Sequence, residues 1–128
     1  MKIKKIFQLP IPQSGCGNVR FCFSGLDGLL EFEFRKNGSD YIGGIQFNRI
    51  AAFRFRDEMR SDGYADESYE SVIEVLDSDW KKELKKIEPP SVSSISERHH
   101  FAALLSSNGY FEVIAKECSL VEEKMGLL

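Results

Sequence analysis

Two runs of this chain alternate apolar and polar residues with the period of a strand buried on one face. In VRFCFS (residues 19–24), Val19, Phe21 and Phe23 fall on one side and Arg20, Cys22 and Ser24 on the other. In LLEFEFRK (residues 29–36), Leu30, Phe32 and Phe34 alternate with Glu31, Glu33 and Arg35. A helix would scatter these phenylalanines around its circumference, whereas a pleated strand gathers them on one face. GLDG between the two runs reads as a tight reversal. NGSD after the second supplies Asn37-Gly38, the pair favoured where both central turn residues need positive φ.

The same period recurs along the chain. KIKKIFQL (residues 2–9) reads as a first strand that stops where Pro10 and Pro12 remove ladder donors. In GIQFNRIAAFRFRD (residues 44–57), Ile45 and Phe47 share a face, Phe53 and Phe55 share a face, and the Ala51-Ala52 step between them predicts a bulge. RHHFAALLSSNGYFEVIAKECSL (residues 98–120) reads as a hairpin, with strands over about 99–106 and 110–118 flanking Asn108-Gly109. Its second strand is partly apolar on both faces, which suits a central position, and the tail VEEKMGLL reads as short. YESVIEVL is assigned to a strand because its β-branched residues cluster.

DSDWKKELKKI (residues 77–87) carries helix signals: Asp77 or Ser78 as N-cap, Asp79 in the first turn, lysines toward the end, and Pro89-Pro90 beyond. Trp80, Leu84 and Ile87 at i, i+4 and i+7 predict a buried stripe. The expected fold is mainly β, an antiparallel β-sandwich or strongly bent sheet with one short α-helix. At 128 residues it is expected to form a single domain over residues 1–128.

Ten Phe and four Tyr favour a packed core over disorder. A formal charge of −3 argues against non-specific nucleic-acid binding, which needs a basic face. IFQLPIPQSG breaks at two prolines before an adequate apolar stretch forms, so no secretory leader is expected. No run approaches the roughly 18 apolar residues of a membrane span. The three cysteines, Cys16, Cys22 and Cys118, are an odd number at no familiar spacing; reduced thiols and a cytoplasmic location are the expectation.

The charge is uneven. Residues 57–79 hold nine carboxylates and one basic residue, Arg60. DEMRSDGYADES has a glycine but not the alternating oxygens of a calcium loop. Adjacent His99 and His100 on a strand point to opposite faces, so they cannot together ligate one metal, and the pair reads as one surface and one core histidine. Cys16 sits on a Gly-flanked loop without the surroundings of a thiol hydrolase, and Cys22 and Cys118 read as packing residues. No Walker, dinucleotide or nucleophile-elbow pattern occurs. No catalytic residue, metal ligand or cofactor is therefore assigned, and a non-enzyme is expected. Arg54 and Arg56 lie opposite Phe53 and Phe55 and read as a solvated face that could also pair with nearby carboxylates, each exposed pair worth only about 0–1 kcal/mol.

Three stretches, FRFRDE, YESVIEVLDSDW and RHHFAALLSSNGYFEVIAKE, resemble a loosely defined group of small bacterial immunity proteins of polymorphic or contact-dependent toxin systems. The likeness spans about residues 53–118, and residues 59–68 look like an insertion relative to the group's shorter pattern. It implies a single-domain cytoplasmic inhibitor, monomeric or weakly dimeric, that binds one cognate toxin domain and no nucleic acid or membrane. Toxin domains that attack nucleic acid are commonly basic, so an acidic inhibitor could cover the cleft and associate quickly. The expected contact residues are Asp57, Glu58, Asp62, Asp66, Glu67 and Glu70, with Tyr64 and Tyr69 as aromatic anchors. The alternatives are a small-ligand-binding β module or a small hydrolase.

Overall fold

Among the described residues, seven antiparallel strands form one sheet in the order β1-β5-β6-β7-β4-β3-β2. The computed structural model describes residues 2–11, 16–56, 70–89, 95–105 and 109–125, and side chains through residue 121. The strands are β1 (Ile3–Gln8), β2 (Gly17–Ser24), β3 (Asp27–Lys36), β4 (Ser39–Arg56), β5 (Ser71–Val75), β6 (His99–Leu105) and β7 (Gly109–Met125). One helix, α1 (Asp79–Ile87), and a 3-10 turn over Ile95–Glu97 link β5 to β6. Among the described residues β1 and β2 are the sheet's two edges and do not pair with each other, so the sheet is not closed into a barrel.

The alternating runs behave as their period predicts. Leu30, Phe32 and Phe34 of β3 are buried, while Glu31 is half-buried and Glu33 and Arg35 are exposed. They share a core with Ile45 and Phe47 of β4, Val72 of β5, Phe101, Ala103 and Leu105 of β6, and Phe111 and Val113 of β7. Because one cluster gathers residues from both halves of the sheet, its strands wrap a common interior. Bends are visible in the register: the pairing of β4 with β7 shifts between Ile50 and Ala52, the expected bulge, and again between Ile42 and Gly44. Arg49 near the first shift has φ 55, in the left-handed region. Its backbone is held from two sides: its N–H donates to Asp27 Oδ1 at 3.0 Å, and Arg98 Nε donates to its carbonyl at 2.9 Å.

A second, smaller cluster lies on the opposite face of β5, β6 and β7 and contains Ile73, Val75, Ala102, Leu104 and Tyr110. β7 is central, between β6 and β4, and is buried on both faces from Gly109 to Ala115. It extends to Met125, beyond the short tail expected. The expected helical stripe is corrected: α1 has no buried residue, and Ile87 is 77% exposed. Four lysines in nine residues keep the helix at the surface, where its end hangs free of the sheet. Cys22 is exposed rather than packed, whereas Cys118 joins the edge of the main core.

Candidate functional site

The feature least expected from the sequence is a carboxylate with no solvent exposure in the centre of the sheet. Glu112 of β7 is 0% exposed. The antiparallel register sets it opposite Ala102 of β6 on one side and Arg54 of β4 on the other. His100 lies two residues from Ala102 on the same face of β6, a diagonal neighbour within reach of a long side chain. Arg54 donates from Nε to Glu112 Oε2 at 2.6 Å and from Nη2 to Oε1 at 2.9 Å, a two-pronged grip. Arg56 adds a third donor to Oε2 at 3.3 Å. His100 Nε2 lies 2.7 Å from Oε1. An ionised carboxylate needs this many donors to tolerate burial.

The network continues outward from His100, itself 2% exposed. Its Nδ1 is 2.7 Å from the Oγ of Ser78, the N-cap of α1. That hydroxyl also accepts from the Lys81 N–H at 3.0 Å, as a capping serine does. If Glu112 is ionised it can only accept, and the His100 tautomer that satisfies it carries its proton on Nε2. Nδ1 is then an acceptor, and the Ser78 hydroxyl donates to it. Trp80 closes the group, its ring edge-on to His100 at 5.2 Å and under the Arg54 guanidinium at 4.1 Å. Arg56 lies over the Tyr110 ring at 5.0 Å.

Ser78 also lines a cleft of about 180 Å³ at the start of α1. Its walls carry Lys81, Lys82 and Lys85 on one face of the helix, with Leu76 and Ile95 as apolar sides and Asp77 at the rim. Lys2 donates its backbone N–H to Asp77 Oδ1 at 2.9 Å, which holds that carboxyl below its ordinary range. Among the described residues no group of three or more His, Cys, Asp or Glu side chains is arranged to hold a metal ion, and no helix is long and apolar enough to cross a membrane.

A different surface is formed by aromatic rings. Phe21, Phe23 and Phe53 pack together at ring distances of 4.5–5.8 Å, Phe21 against both others. Phe55, two residues along β4 on the same face, packs on Phe111 at 4.9 Å. Phe23 is 57% and Phe55 53% exposed, so one edge of this row faces solvent. β4 ends one residue later at Arg56, where the acidic stretch of the sequence begins.

The expected contact residues Asp57, Glu58, Asp62, Tyr64, Asp66, Glu67 and Tyr69 lie outside the described residues. Glu70 is described, and it is 9% exposed rather than displayed at the surface. Its φ is 50, its N–H donates to the Leu104 carbonyl, and its own carbonyl accepts from Leu9. Among the described residues Glu70 Oε1 is buried without a hydrogen-bond partner, and burial raises the carboxyl above its ordinary range. The histidines divide as expected: His99 is exposed and 2.6 Å from Glu74, while His100 is in the interior. Arg54 and Arg56 are corrected from a solvated face to partners of Glu112.

Sequence reasoning missed Ser78, His100, Glu112 and Arg54 as one group. One signal was available: Glu112 is a lone acid within the apolar run GYFEVIA, and a buried acid demands cations nearby. Nothing in the sequence identified which cations, because the pairing depends on a register that passes through the β4 bulge. No protein-family model, curated protein or solved structure matches this chain.

Proposed function

We propose that the protein is an immunity-type inhibitor that binds a basic toxin domain and blocks it. The observation that carries this reading is an aromatic row in which half-buried Phe53 joins exposed Phe23 of β2 to exposed Phe55 of β4, the strand that leads directly into the acidic run. Large aromatics at the centre of an interface supply most of the binding energy, and charges at its rim supply steering and selectivity. An apolar pocket rimmed by lysine and arginine, as at a nucleic-acid-cleaving site, is the complementary surface. The resemblance of residues 53–118 to immunity proteins of toxin systems supports the same reading, as does a rigid, both-faces-buried β7 beneath Phe55. The acids from Asp57 to Glu67 compete with phosphates for the partner's cations; buried Glu70 is left out of the contact set.

The test is survival. The toxin domain encoded beside this gene is expressed in cells with and without the protein. Rescue by the wild-type chain, lost when Phe23 and Phe55 are both changed to Ser in a variant that still folds, is the expected result. A neighbour that kills equally in both strains would overturn the immunity reading.

A further inference from the structure

We propose that Ser78 is an activated nucleophile and that the chain carries a serine-dependent acyl-ester hydrolase site at the start of α1. The proposal is separate from the partner-binding reading: neither the exposed rings of Phe23 and Phe55 nor the acids from Asp57 to Glu67 take part in it.

The geometry meets three requirements of such a site. A nucleophile must touch its base, and Ser78 Oγ lies 2.7 Å from His100 Nδ1. The base must be oriented by a third group, and His100 Nε2 lies 2.7 Å from Glu112 Oε1. There must be room for substrate, and Ser78, itself only 4% exposed, lines the inner wall of a cleft of about 180 Å³. The ring nitrogens are exchanged relative to the familiar serine triads, in which Nε2 faces the serine. The chemistry needs only one accepting nitrogen toward the hydroxyl and one N–H toward the carboxylate, and the hydrogen-bond polarity above supplies both. Arg54 and Arg56 keep Glu112 ionised, so Glu112 orients the ring without taking its proton. Glu112 is a positioning residue, whereas Ser78 and His100 meet the reacting atoms.

The steps balance without an outside reagent other than water. Ser78 Oγ bonds to the ester carbonyl carbon as its proton passes to His100 Nδ1. The carbonyl–alkoxy bond then breaks, and the departing oxygen takes that proton, leaving an acyl ester on Ser78. Water adds to the acyl carbon and gives a proton to Nδ1, which returns it to Oγ as the carboxylic acid leaves. The lysines that line the cleft would meet the negative charge developing on the carbonyl oxygen. Three lysines against one aspartate make the cleft cationic, and Leu76 and Ile95 give it apolar walls. The substrate class is therefore a small ester with a short apolar acyl chain and an anionic group.

The probe is an alkyl fluorophosphonate, which phosphonylates a serine only where a base activates it. The full chain is incubated with it, and the adduct is measured by intact mass and mapped by peptide. We expect one adduct, on Ser78, that is abolished by prior denaturation and reduced at least tenfold in His100→Gln. Folding of that variant is checked by circular dichroism; if it does not fold, the wild-type map decides alone. No adduct on the wild-type chain, or an adduct that maps to another residue, overturns the proposal. The network is then a structural anchor for α1.

Discussion

A buried charge is costly to leave alone, and two glutamates of this chain meet that cost in opposite ways. Glu112 is surrounded by Arg54, Arg56 and His100, so its removal leaves donors unmatched in the interior. Glu112→Ala is expected to destabilise the fold by about 3 kcal/mol, toward the lower end for breaking a buried pair because the Arg54 guanidinium is partly solvated. Equilibrium urea unfolding of the variant against wild type measures this. Glu70 has only burial, which raises its carboxyl above the ordinary carboxylate range. A raised folded value means that the native state binds the proton more readily than the unfolded chain. The stability linked to Glu70 is thus present below the unfolded value and is lost as pH rises toward the folded one. Glu70→Gln removes that dependence. The variant should match wild type in thermal unfolding at acidic pH and exceed it at neutral pH; a gap that stays constant with pH would show that the carboxyl is not the cause. Neither role was legible from composition: Glu70 sits in a stretch that reads as solvated acid, and Glu112, though a lone acid in an apolar run, has no evident partner until the register places Arg54 beside it.

Elements were more legible than contacts. β3 was evident because Leu30, Phe32 and Phe34 report a local period, and the N-cap of α1 was narrowed to Asp77 or Ser78, of which Ser78 caps, because capping is a local hydrogen bond, here between Ser78 and Lys81. The docking of α1 is not local. Its i, i+4, i+7 residues predicted a buried stripe, yet the sheet face that such a stripe would cover is filled by Ile73, Val75, Ala102 and Leu104, and the helix is tied down mainly at its first turn. Trp80, half-buried over Arg54 and against His100, is accordingly expected to cost about 1–2 kcal/mol on change to Ala, below the ~3–5 kcal/mol of a fully packed aromatic. Ile87→Ser at the exposed end should stay within about 0.5 kcal/mol of wild type. Chemical denaturation of the two variants side by side tests whether α1 is anchored at one end. The antiparallel pairing of β6 with β7, which sets Leu105 opposite Gly109, is a second case in which sequence and structure agree. Gly109 has φ 109, and a side chain there would collide with the Phe55 ring. Gly109→Ala is thus expected to lower stability by more than about 1 kcal/mol, a backbone effect that a Phe55→Ala background relieves only in part.

At the scale of the molecule, charge and apolar surface are segregated along the chain. The carboxylates concentrate between Asp57 and Asp79, and a lysine cluster follows at once on α1. Exposed aromatics gather where β4 hands over to the acidic run. Sequence alone disclosed the first asymmetry, because charge density needs no fold to be counted. It did not disclose the aromatic row, since Phe21, Phe23, Phe53 and Phe55 come from strands far apart in the chain that meet only through β3 and the bulge in β4. If the protein captures a basic partner, the two features divide the work. Charges act over a Debye length, about 8 Å at physiological salt, and govern encounter, while the rings act on contact and govern residence. Reversal of Asp62, Asp66 and Glu67 to Lys should therefore slow association about tenfold or more at low salt and flatten its salt dependence, with dissociation little changed. Phe55→Ala should do the converse, raising the dissociation rate at least tenfold with association nearly constant. Surface plasmon resonance against the cognate domain at two ionic strengths separates these outcomes. If association is unchanged in the charge-reversed variant, the acidic run has no part in recognition, and the aromatic row alone would have to account for binding.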